Sequence, residues 1–325
     1  MKYTNQLSPK IFTCHSISEL IGFENPSEDY KWSFGLPTLD KLKNIDAFIT
    51  TPSFPLGYDE LISMPKLKVI SSYGVGYDYI DISQASKLGI LVTNTPNSVT
   101  RATGELGVSL VVASVRNIVE NDHLTRSKNS NGFANEMFKY PIMAHDFSSQ
   151  TIGIIGYGRV GKTLFDLVKK LGFEAIYSRA HGALEGHSGY REISQLLSIS
   201  DVVVLCVPLK EDTYHLINTK SFKLMKSSSK IVNISRGPVI DESSLIQALK
   251  SGQISGAALD VFEYEPHISQ DLIEMNQVIL SPHVATTTIE TRKAMTAEAV
   301  ENIIQALAKT PQNALNLESW KRIKL

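Results

Sequence analysis

The fold of this chain is decided by the stretch Thr151-Ile152-Gly153-Ile154-Ile155-Gly156-Tyr157-Gly158-Arg159-Val160-Gly161. An apolar, β-branched run leads into the pattern Gly-x-Gly-x-x-Gly, and apolar residues then recur at helical spacing. The order of strand, tight turn and helix is the context in which this motif holds a dinucleotide pyrophosphate at a helix N-terminus. We therefore predict a dinucleotide site here, although glycines in an ordinary strand-to-helix turn would give the same bare motif.

Each glycine of the motif has its own expected task. Gly156 lets the chain turn sharply, Gly158 lets a pyrophosphate approach the backbone, and Gly161 lets the helix press against the strand. All three tasks depend on the missing Cβ atom. The three glycines are therefore predicted cofactor-binding positions.

Apolar strands and helical segments alternate after the motif. The predicted strands are residues 174–177, 201–206, 230–234, 256–259 and 277–280. Near-continuous apolar strands separated by helices predict a doubly wound parallel sheet, the Rossmann arrangement, whose ligand lies beyond the carboxyl ends of the strands. Before the motif, residues 101–119 have the apolar stripe of a long helix, and residues 121–150 are polar and irregular, which predicts a surface excursion.

A smaller α/β domain is predicted from the first hundred residues. Strands at residues 10–13, 46–49, 67–70 and 89–92 are separated by segments long enough for crossover helices. A capping-box pattern from Thr287 to Glu290 begins a last helix, which we expect to return to this domain. The predicted fold class is α/β with two domains. A flavodoxin-like substrate domain comprises residues 1–98 and 287–325, and the Rossmann domain comprises residues 99–286.

The bulk properties argue against several classes of function. A net charge of -1 on 325 residues, with a pI of 6.7, gives no reason to expect nucleic acid or anionic membranes as partners. The polar N-terminus and the lack of a long apolar run predict a cytoplasmic protein that neither crosses nor binds a membrane. Cys14 and Cys206 each lie at the end of a predicted buried strand, which indicates small core residues in a reducing compartment rather than a disulfide or a metal pair.

The choice of nicotinamide cofactor depends on the end of the strand at residues 174–177. In this fold an acidic residue about 20 positions beyond the glycine motif favours NAD, and an arginine accommodates the 2′-phosphate of NADP. Here Ser178 and Arg179 occupy that end. A guanidinium with a neighbouring hydroxyl can bind a phosphate through charge-assisted hydrogen bonds, so we predict that NADP(H) is preferred and that NAD(H) is possible. The alternative is a solvated surface arginine on a promiscuous enzyme.

Three predicted strand ends carry polar residues that an apolar sheet does not need. They are Arg236, Asp260 with Glu265, and His283. A histidine near neutral pKa can exchange a proton with a substrate oxygen, and a carboxylate beside it favours the imidazolium and fixes its orientation. A guanidinium fork matches a carboxylate bidentately. Spacing alone does not choose between Glu263 and Glu265 as the partner of the histidine. A structural ion-pair network is the alternative for Arg236 and Glu265.

At these residues the sequence resembles the D-isomer-specific 2-hydroxyacid dehydrogenases, and within them the glyoxylate/hydroxypyruvate reductase group. The resemblance spans residues 67–288. Its motifs are Tyr73-Gly74-Val75-Gly76-Tyr77-Asp78, Asn94-Thr95-Pro96, the glycine motif, Val207-Pro208-Leu209 with Thr213, residues 233–237, residues 259–266 and Ser281-Pro282-His283.

The resemblance implies a role for each matching residue. Arg236 would bind the substrate carboxylate and carbonyl, His283 would be the acid/base, and Glu265 its partner. The backbone amides of Val75 and Gly76 would hold the carboxylate. On the cofactor side it implies Arg159 and Val160 at the pyrophosphate, Val207, Thr213 and Ile234 lining the site, and Asp260 at the carboxamide.

Departures from the family pattern leave this set chemically complete. Ala285 stands where the family has glycine near the nicotinamide, and Asn97 stands where glycine is common. Neither change removes a reacting group. The resemblance further implies a homodimer that forms through the second domain.

The leading hypothesis is an NADPH-preferring reductase of small 2-keto acids, such as glyoxylate and hydroxypyruvate, that yields D-2-hydroxy acids. The first alternative is an NAD-dependent D-lactate or branched D-2-hydroxyacid dehydrogenase. The second is an NADP(H)-sensing binding protein, as the corepressors of this superfamily are. The sequence does not identify the 2-keto acid or the direction of the reaction in the cell.

Overall fold

The chain forms two compact units. The computed structural model describes residues 8–14, 20–127 and 143–324. One unit is made of the described parts of residues 1–99 and 286–325, and the other of residues 100–285. The helices and strands are, in chain order, β1 (Lys10–Thr13), β2 (Lys31–Phe34), α1 (Leu39–Leu42), β3 (Ala47–Thr50), α2 (Tyr58–Ile62), β4 (Val69–Ser72), α3 (Ile82–Lys87), β5 (Leu91–Thr93), α4 (Pro96–Val115), α5 (Ile118–Ser127), β6 (Thr151–Ile155), α6 (Arg159–Lys170), β7 (Glu174–Ser178), α7 (Ile193–Ile199), β8 (Val202–Leu205), α8 (Thr219–Leu224), β9 (Lys230–Asn233), α9 (Glu242–Lys250), β10 (Gly256–Leu259), α10 (Gln270–Glu274), β11 (Val278–Leu280), α11 (Ile289–Leu307) and α12 (Leu317–Lys324).

The first unit is built on a five-stranded parallel sheet of order β2-β1-β3-β4-β5. Strands β3, β4 and β5 are buried over their whole length, as expected for a parallel sheet covered on both faces. The sequence predicted four of the five strands. It missed β2, because this edge strand alternates exposed and half-buried residues and lacks a continuous apolar run.

Helix α11 completes the core of the first unit. Its residues Met295, Ala299 and Ile303 are buried in one cluster with Ile49 of β3 and Val69 of β4. The predicted return of the last long helix to the first sheet is therefore observed.

The N-terminus of α11 lies one residue later than predicted. The Thr288 side chain, not that of Thr287, accepts the Thr291 backbone N–H at 3.2 Å. Thr288 has the extended backbone of an N-cap, with φ of −112°, so the helix begins after it. The predicted pairing of Thr287 with Glu290 is wrong for this reason.

The second unit contains a six-stranded parallel sheet of order β11-β10-β9-β8-β6-β7. The chain runs outward from β6 to β7 and then crosses to β8 on the other side. In a doubly wound sheet this reversal opens a crevice beyond the carboxyl ends of the two inner strands. The glycine motif follows β6 directly, so it lies at that crevice.

The helix predicted at residues 101–119 begins earlier in the structure and ends earlier than predicted. Helix α4 begins at Pro96, a residue that the first helical position tolerates well, and it ends at Val115. Asn117 has a φ of 49° and separates α4 from α5. The irregular excursion predicted for residues 121–150 is therefore wrong for residues 121–127, which are helical, and residues 128–142 lie outside the described part.

Helices α4 and α5 follow each other closely within the described ranges. No single helix there is long and apolar enough to cross a membrane, whereas α4 and α5, which form a pair bent by 59°, together pass the same test of length and composition. In this structure Leu110, Val111 and Val115 of α4 are buried in the core with residues of the six-stranded sheet.

Candidate active site

The glycine turn has the geometry that a dinucleotide requires. Gly156 has a φ of 100°, and a Cβ there would overlap the Cys206 carbonyl group. A Cβ on Gly161 would overlap the Gly156 carbonyl oxygen, so the close approach of α6 to the turn depends on glycine. Gly158, in contrast, faces open space at the N-terminus of α6. The turn therefore leaves room for an anion where backbone N–H groups end the helix.

The residues after the glycine turn and β7 differ in accessibility. Arg159 is exposed and Val160 is half-buried at the first turn of α6. Ser178 is only 2% exposed, and its carbonyl accepts the Gly156 N–H at 2.9 Å. Arg179 is partly exposed. Of the two residues predicted at the ribose, the arginine is therefore the more accessible.

The loop after β8 is closed by a threonine. The Thr213 hydroxyl donates to the Pro208 carbonyl at 2.6 Å and accepts the Lys210 N–H at 2.8 Å. Val207, at the start of this loop, packs on the core of the six-stranded sheet. Ile234, after β9, is buried. Three residues assigned to the lining of the site thus lie after the carboxyl ends of β8, which pairs with β6, and of β9, which pairs with β8.

Cys206 follows β8 directly. Burial raises the pKa of its thiol to about 12. A thiol with that pKa stays protonated near neutral pH and is a poor nucleophile. Cys206 is partly buried and packs against the core of the six-stranded sheet, where a core residue was predicted.

Arg236 is held by the side chain of Asn233, the last residue of β9. The Asn233 amide donates to the Arg236 carbonyl at 2.9 Å, and its oxygen accepts both the N–H and the hydroxyl of Ser235. The guanidinium donates to the Ser235 carbonyl at 2.7 Å. Asn233 therefore shapes the turn that presents Arg236, a task that the strand pattern alone did not reveal.

Glu265 and His283 form a direct pair. The Nδ1 atom of His283 lies 2.9 Å from Oε2 of Glu265, and the other carboxylate oxygen accepts the Phe262 N–H at 2.9 Å. The side chains of His283 and Glu265 are 41% and 36% exposed. The competing residue Glu263 contacts a different histidine, His215, at 2.7 Å.

Opposing effects act on the Glu265 carboxyl. Burial, the largest single effect, raises its pKa, whereas the hydrogen bond and the charge of His283 and the hydrogen bond from the Phe262 N–H lower it. The charge of Arg236 acts in the lowering direction too. The net pKa lies below the ordinary value of a glutamate, so the carboxylate is ionised near neutral pH.

Asp260 holds the loop that carries His283. This fully buried residue accepts the Ser281 hydroxyl and the Val284 N–H on one carboxylate oxygen, and the Ala285 N–H on the other. Its carbonyl accepts the His283 N–H at 2.8 Å. His283 has a φ of 52°, a conformation that non-glycine residues seldom adopt and that these bonds hold in place.

The loop predicted to hold a carboxylate belongs to the first unit. The Val75 carbonyl accepts the Asn94 amide at 2.8 Å, and the Gly76 carbonyl accepts the Ser72 hydroxyl at 2.6 Å. Within the described ranges the N–H groups of Val75 and Gly76 make no hydrogen bond to protein. Val75 is 44% exposed. Both N–H groups are therefore available to an acceptor.

Within the described ranges no three histidine, cysteine, aspartate or glutamate side chains form a group that could hold a metal ion. The groups that sequence reasoning missed are Asn233, Ser281 and the pair of His215 with Glu263. The signal for Glu263 was its position two residues before Glu265. For His215 the only signal was its place in the loop after β8.

Comparison with known proteins agrees with this geometry. Residues 108–285 match the family described as "D-isomer specific 2-hydroxyacid dehydrogenase, NAD binding domain". The glyoxylate reductase of Thermococcus litoralis is 39% identical over 285 residues, which are 86% of each chain. The glyoxylate reductase of Pyrococcus horikoshii is 35% identical over 310 residues, or 92% of each chain. The chain belongs to the D-isomer-specific 2-hydroxyacid dehydrogenase family.

A solved structure of this dehydrogenase family has the same fold. The NADPH-dependent glyoxylate/hydroxypyruvate reductase of Sinorhizobium meliloti, in complex with citrate, superposes with a TM-score of 0.83 at 25% identity. The match covers 94% of this chain and 97% of that one. As a member of this dehydrogenase family, the protein is an NAD(P)-dependent oxidoreductase, and its glycine turn fits the nicotinamide dinucleotide.

Proposed function

We propose that this protein reduces small 2-keto acids of the glyoxylate and hydroxypyruvate type to D-2-hydroxy acids, with NADPH as the preferred cofactor. The observation that carries the proposal is the 2.9 Å contact between His283 and Glu265, next to the positive charge of Arg236. The similarity to the glyoxylate reductases of Thermococcus litoralis and Pyrococcus horikoshii supports the substrate class.

His283 is the proton donor in the proposed reaction. An ionised Glu265 can only accept a hydrogen bond, so the Nδ1 atom of His283 carries its proton towards Glu265 and the ring orientation is fixed. The Nε2 atom is then the one that delivers a proton to the substrate carbonyl oxygen. The bound dinucleotide supplies the hydride. Because Glu265 stays ionised near neutral pH, it keeps accepting the Nδ1–H bond and holds the ring in this orientation.

Arg236 and the loop of Val75 and Gly76 bind the substrate in this proposal. The guanidinium of Arg236 offers paired donors to a carboxylate and a carbonyl oxygen. The N–H groups of Val75 and Gly76 are free to donate to a carboxylate, in a loop whose carbonyls accept hydrogen bonds from Asn94 and Ser72. Fixing the substrate by its carboxylate orients the carbonyl carbon for hydride transfer.

The preference for NADPH is assigned to Arg179. Its partial exposure at the end of β7 allows a guanidinium to meet a 2′-phosphate, and no acidic residue occupies that position. The homologous reductase from Sinorhizobium meliloti is NADPH-dependent by name, which agrees with this assignment.

Initial rates test the function directly. NADPH and, separately, NADH oxidation are measured with glyoxylate, hydroxypyruvate, pyruvate and a branched keto acid at equal concentrations. Fast NADPH oxidation with the two smallest polar acids supports the proposal. Faster NADH oxidation with pyruvate or the branched acid favours the D-lactate or branched-acid alternative, and no turnover with either cofactor favours the nucleotide-sensing binding protein.

The Arg179→Gln variant tests the cofactor assignment. We expect the KM for NADPH to rise about 10- to 100-fold, the value of a lost charge-assisted hydrogen bond, with the KM for NADH nearly unchanged. Arg191→Gln is the matched control, because Arg191 lies in the segment between β7 and α7 and its guanidinium donates to the Tyr190 carbonyl. Equal effects of Arg179→Gln on both cofactors would contradict the assignment.

The homodimer and the cytoplasmic location stay predictions of the sequence. Light scattering coupled to size-exclusion chromatography measures the first. A mass near twice 35.9 kDa is the expected result.

A further inference from the structure

A second cluster of polar side chains lies beside the pair of Glu265 and His283. One carboxylate oxygen of Glu263 lies 2.7 Å from Nε2 of His215. The other accepts a hydrogen bond from the Glu242 N–H at 2.9 Å. In return, the Glu263 N–H donates to the Glu242 carboxylate at 3.2 Å. Glu263 is therefore held by three hydrogen bonds that involve both its main chain and its side chain.

The cluster is shielded from solvent. The Glu263 side chain is only 6% exposed and that of His215 32% exposed. Glu242 is 6% exposed, and burial raises the pKa of its carboxyl. The buried carboxylate of Glu263 has a hydrogen-bond partner on each of its two oxygens, and displacing it would cost both bonds. The position of Glu263 is therefore well defined.

The His215 end of the cluster is fixed independently. His215 has a φ of 49°, its N–H donates to the Pro238 carbonyl at 2.8 Å, and its carbonyl accepts the Asn218 amide at 2.9 Å. The Tyr214 ring stacks on the imidazole with centroids 4.0 Å apart. The imidazole therefore approaches Glu263 from a rigid loop.

Glu263 and Glu265 belong to the same short turn. The turn begins at Phe262, whose N–H donates to Glu265, and Glu263 follows it directly. A Cβ on Gly237, the residue after Arg236, would overlap the peptide between Phe262 and Glu263. The turn is thus anchored at Glu263, packed against the chain that carries Arg236, and it presents Glu265 to His283.

We propose that Glu263, held by His215 and Glu242, is a positioning residue that sets the place of Glu265 and, through it, the orientation of His283. Glu263 does not touch substrate or cofactor in this proposal. It acts through the turn of residues 262–265. The proposal rests on the function proposed above for His283 and Glu265.

A double-mutant cycle on kcat tests the proposal. Glu263→Gln replaces one acceptor oxygen by an amide that cannot accept, and we expect kcat to fall about tenfold, because small misplacements of catalytic groups are costly. If Glu263 acts through Glu265, the double variant Glu263→Gln/Glu265→Gln is no slower than Glu265→Gln alone. Independent losses that multiply would overturn the proposal, as would a wild-type kcat for Glu263→Gln.

Two further variants keep the test sharp. His215→Asn suits the left-handed backbone at that position but is too short to reach Glu263, so it gives a milder version of the same loss if Glu263→Gln fails to fold. Tyr264→Phe is the matched control, because Tyr264 lies between the two glutamates, is 64% exposed, and should retain wild-type kcat.

The imidazole signals of His283, followed by NMR of 15N-histidine-labelled protein, provide a readout apart from turnover. We expect Glu263→Gln to shift them towards those of Glu265→Gln and Tyr264→Phe to leave them in place. Unshifted signals in Glu263→Gln would overturn the positioning role. If the wild-type protein turns over no keto acid, the proposed function fails, while this NMR comparison still decides whether Glu263 positions His283.

Discussion

Two pairs of histidine and glutamate lie in the described part of the second unit, and their surroundings differ more than their geometry. The nitrogen-to-oxygen distance is 2.9 Å for His283 with Glu265 and 2.7 Å for His215 with Glu263. In the first pair both side chains are more than a third exposed, whereas Glu263 is only 6% exposed. Distance alone therefore does not separate a reacting pair from a structural one.

Each pair is accompanied by one further buried carboxylate. Asp260 accepts two backbone N–H groups and a hydroxyl from the loop of His283, and Glu242 accepts the N–H of Glu263. The charge of Arg236 acts on the Glu265 carboxyl and lowers its pKa. The comparison teaches that access and a neighbouring cation identify the pair suited to acid/base chemistry.

Replacing the two histidines gives the largest expected contrast. His283→Asn should lower kcat by about 10²- to 10⁴-fold, the usual contribution of a general acid. His215→Asn should lower kcat by less than about tenfold, since it acts only through position. Steady-state rates with glyoxylate measure both, and fluorescence titration with NADPH checks that cofactor binding is retained. Equal losses in the two variants would remove the distinction between the pairs.

Asp260→Asn should have an intermediate effect. An amide offers one acceptor oxygen where the carboxylate offers two, so one N–H of the His283 loop loses its partner at a cost of about 1–3 kcal/mol. We expect Tm to fall by about 3–8 °C and kcat by about tenfold. Asp146→Asn is the control, because the Asp146 side chain is exposed and makes no cap hydrogen bond. A Tm equal to that of the control would show that Asp260 does not hold this loop.

The smallest expected effect is on the pH dependence of folding stability. The contributions of Glu265 and Glu242 should change in opposite directions as pH rises. The pKa of Glu265 is lowered, so its contribution to stability is present above the unfolded value of about 4.3 and is lost as pH falls through the folded pKa. Burial raises the pKa of Glu242, so the folded state gains stability from its protonation and loses that gain as pH rises through the folded pKa.

Thermal unfolding of the two glutamine variants measures this difference. As pH rises across the titration range, Glu265→Gln should become less stable relative to wild type and Glu242→Gln more stable, each by on the order of 1–3 °C in Tm. Parallel pH trends in the two variants would mean that the carboxyl groups do not have the opposite shifts described above.

The sequence predicted those parts of the fold that depend on local pattern. Continuous apolar runs located the strands of both sheets except β2, and the glycine motif located the dinucleotide turn. The helix break at Asn117 was missed, because a single residue with positive φ leaves the apolar stripe on either side intact. The spacing of apolar residues predicts which face of a helix or strand is buried. The exact residue at which the helix or strand ends depends on tertiary contacts.

The sequence predicted which residue types form the candidate site. It did not predict the residues that hold them in place. Arg236, Glu265 and His283 are polar residues at strand ends, which the alternation of apolar strands makes visible. The choice of Glu265 over Glu263 as the contact of His283 came from the family motif, and spacing alone could not make it. Asn233 and the pair of His215 with Glu263 act through contacts between segments distant in sequence, which no local pattern reveals.

The interrupted first unit has a consequence for synthesis on the ribosome. The core residues Met295, Ala299 and Ile303 of α11 are made after the entire second unit, yet they cover strands made in the first hundred residues. While residues 100–285 emerge, one face of the five-stranded sheet lacks its cover. The second unit is continuous in the chain and can fold during that interval, whereas the core of the first unit can close only after α11 has been synthesised.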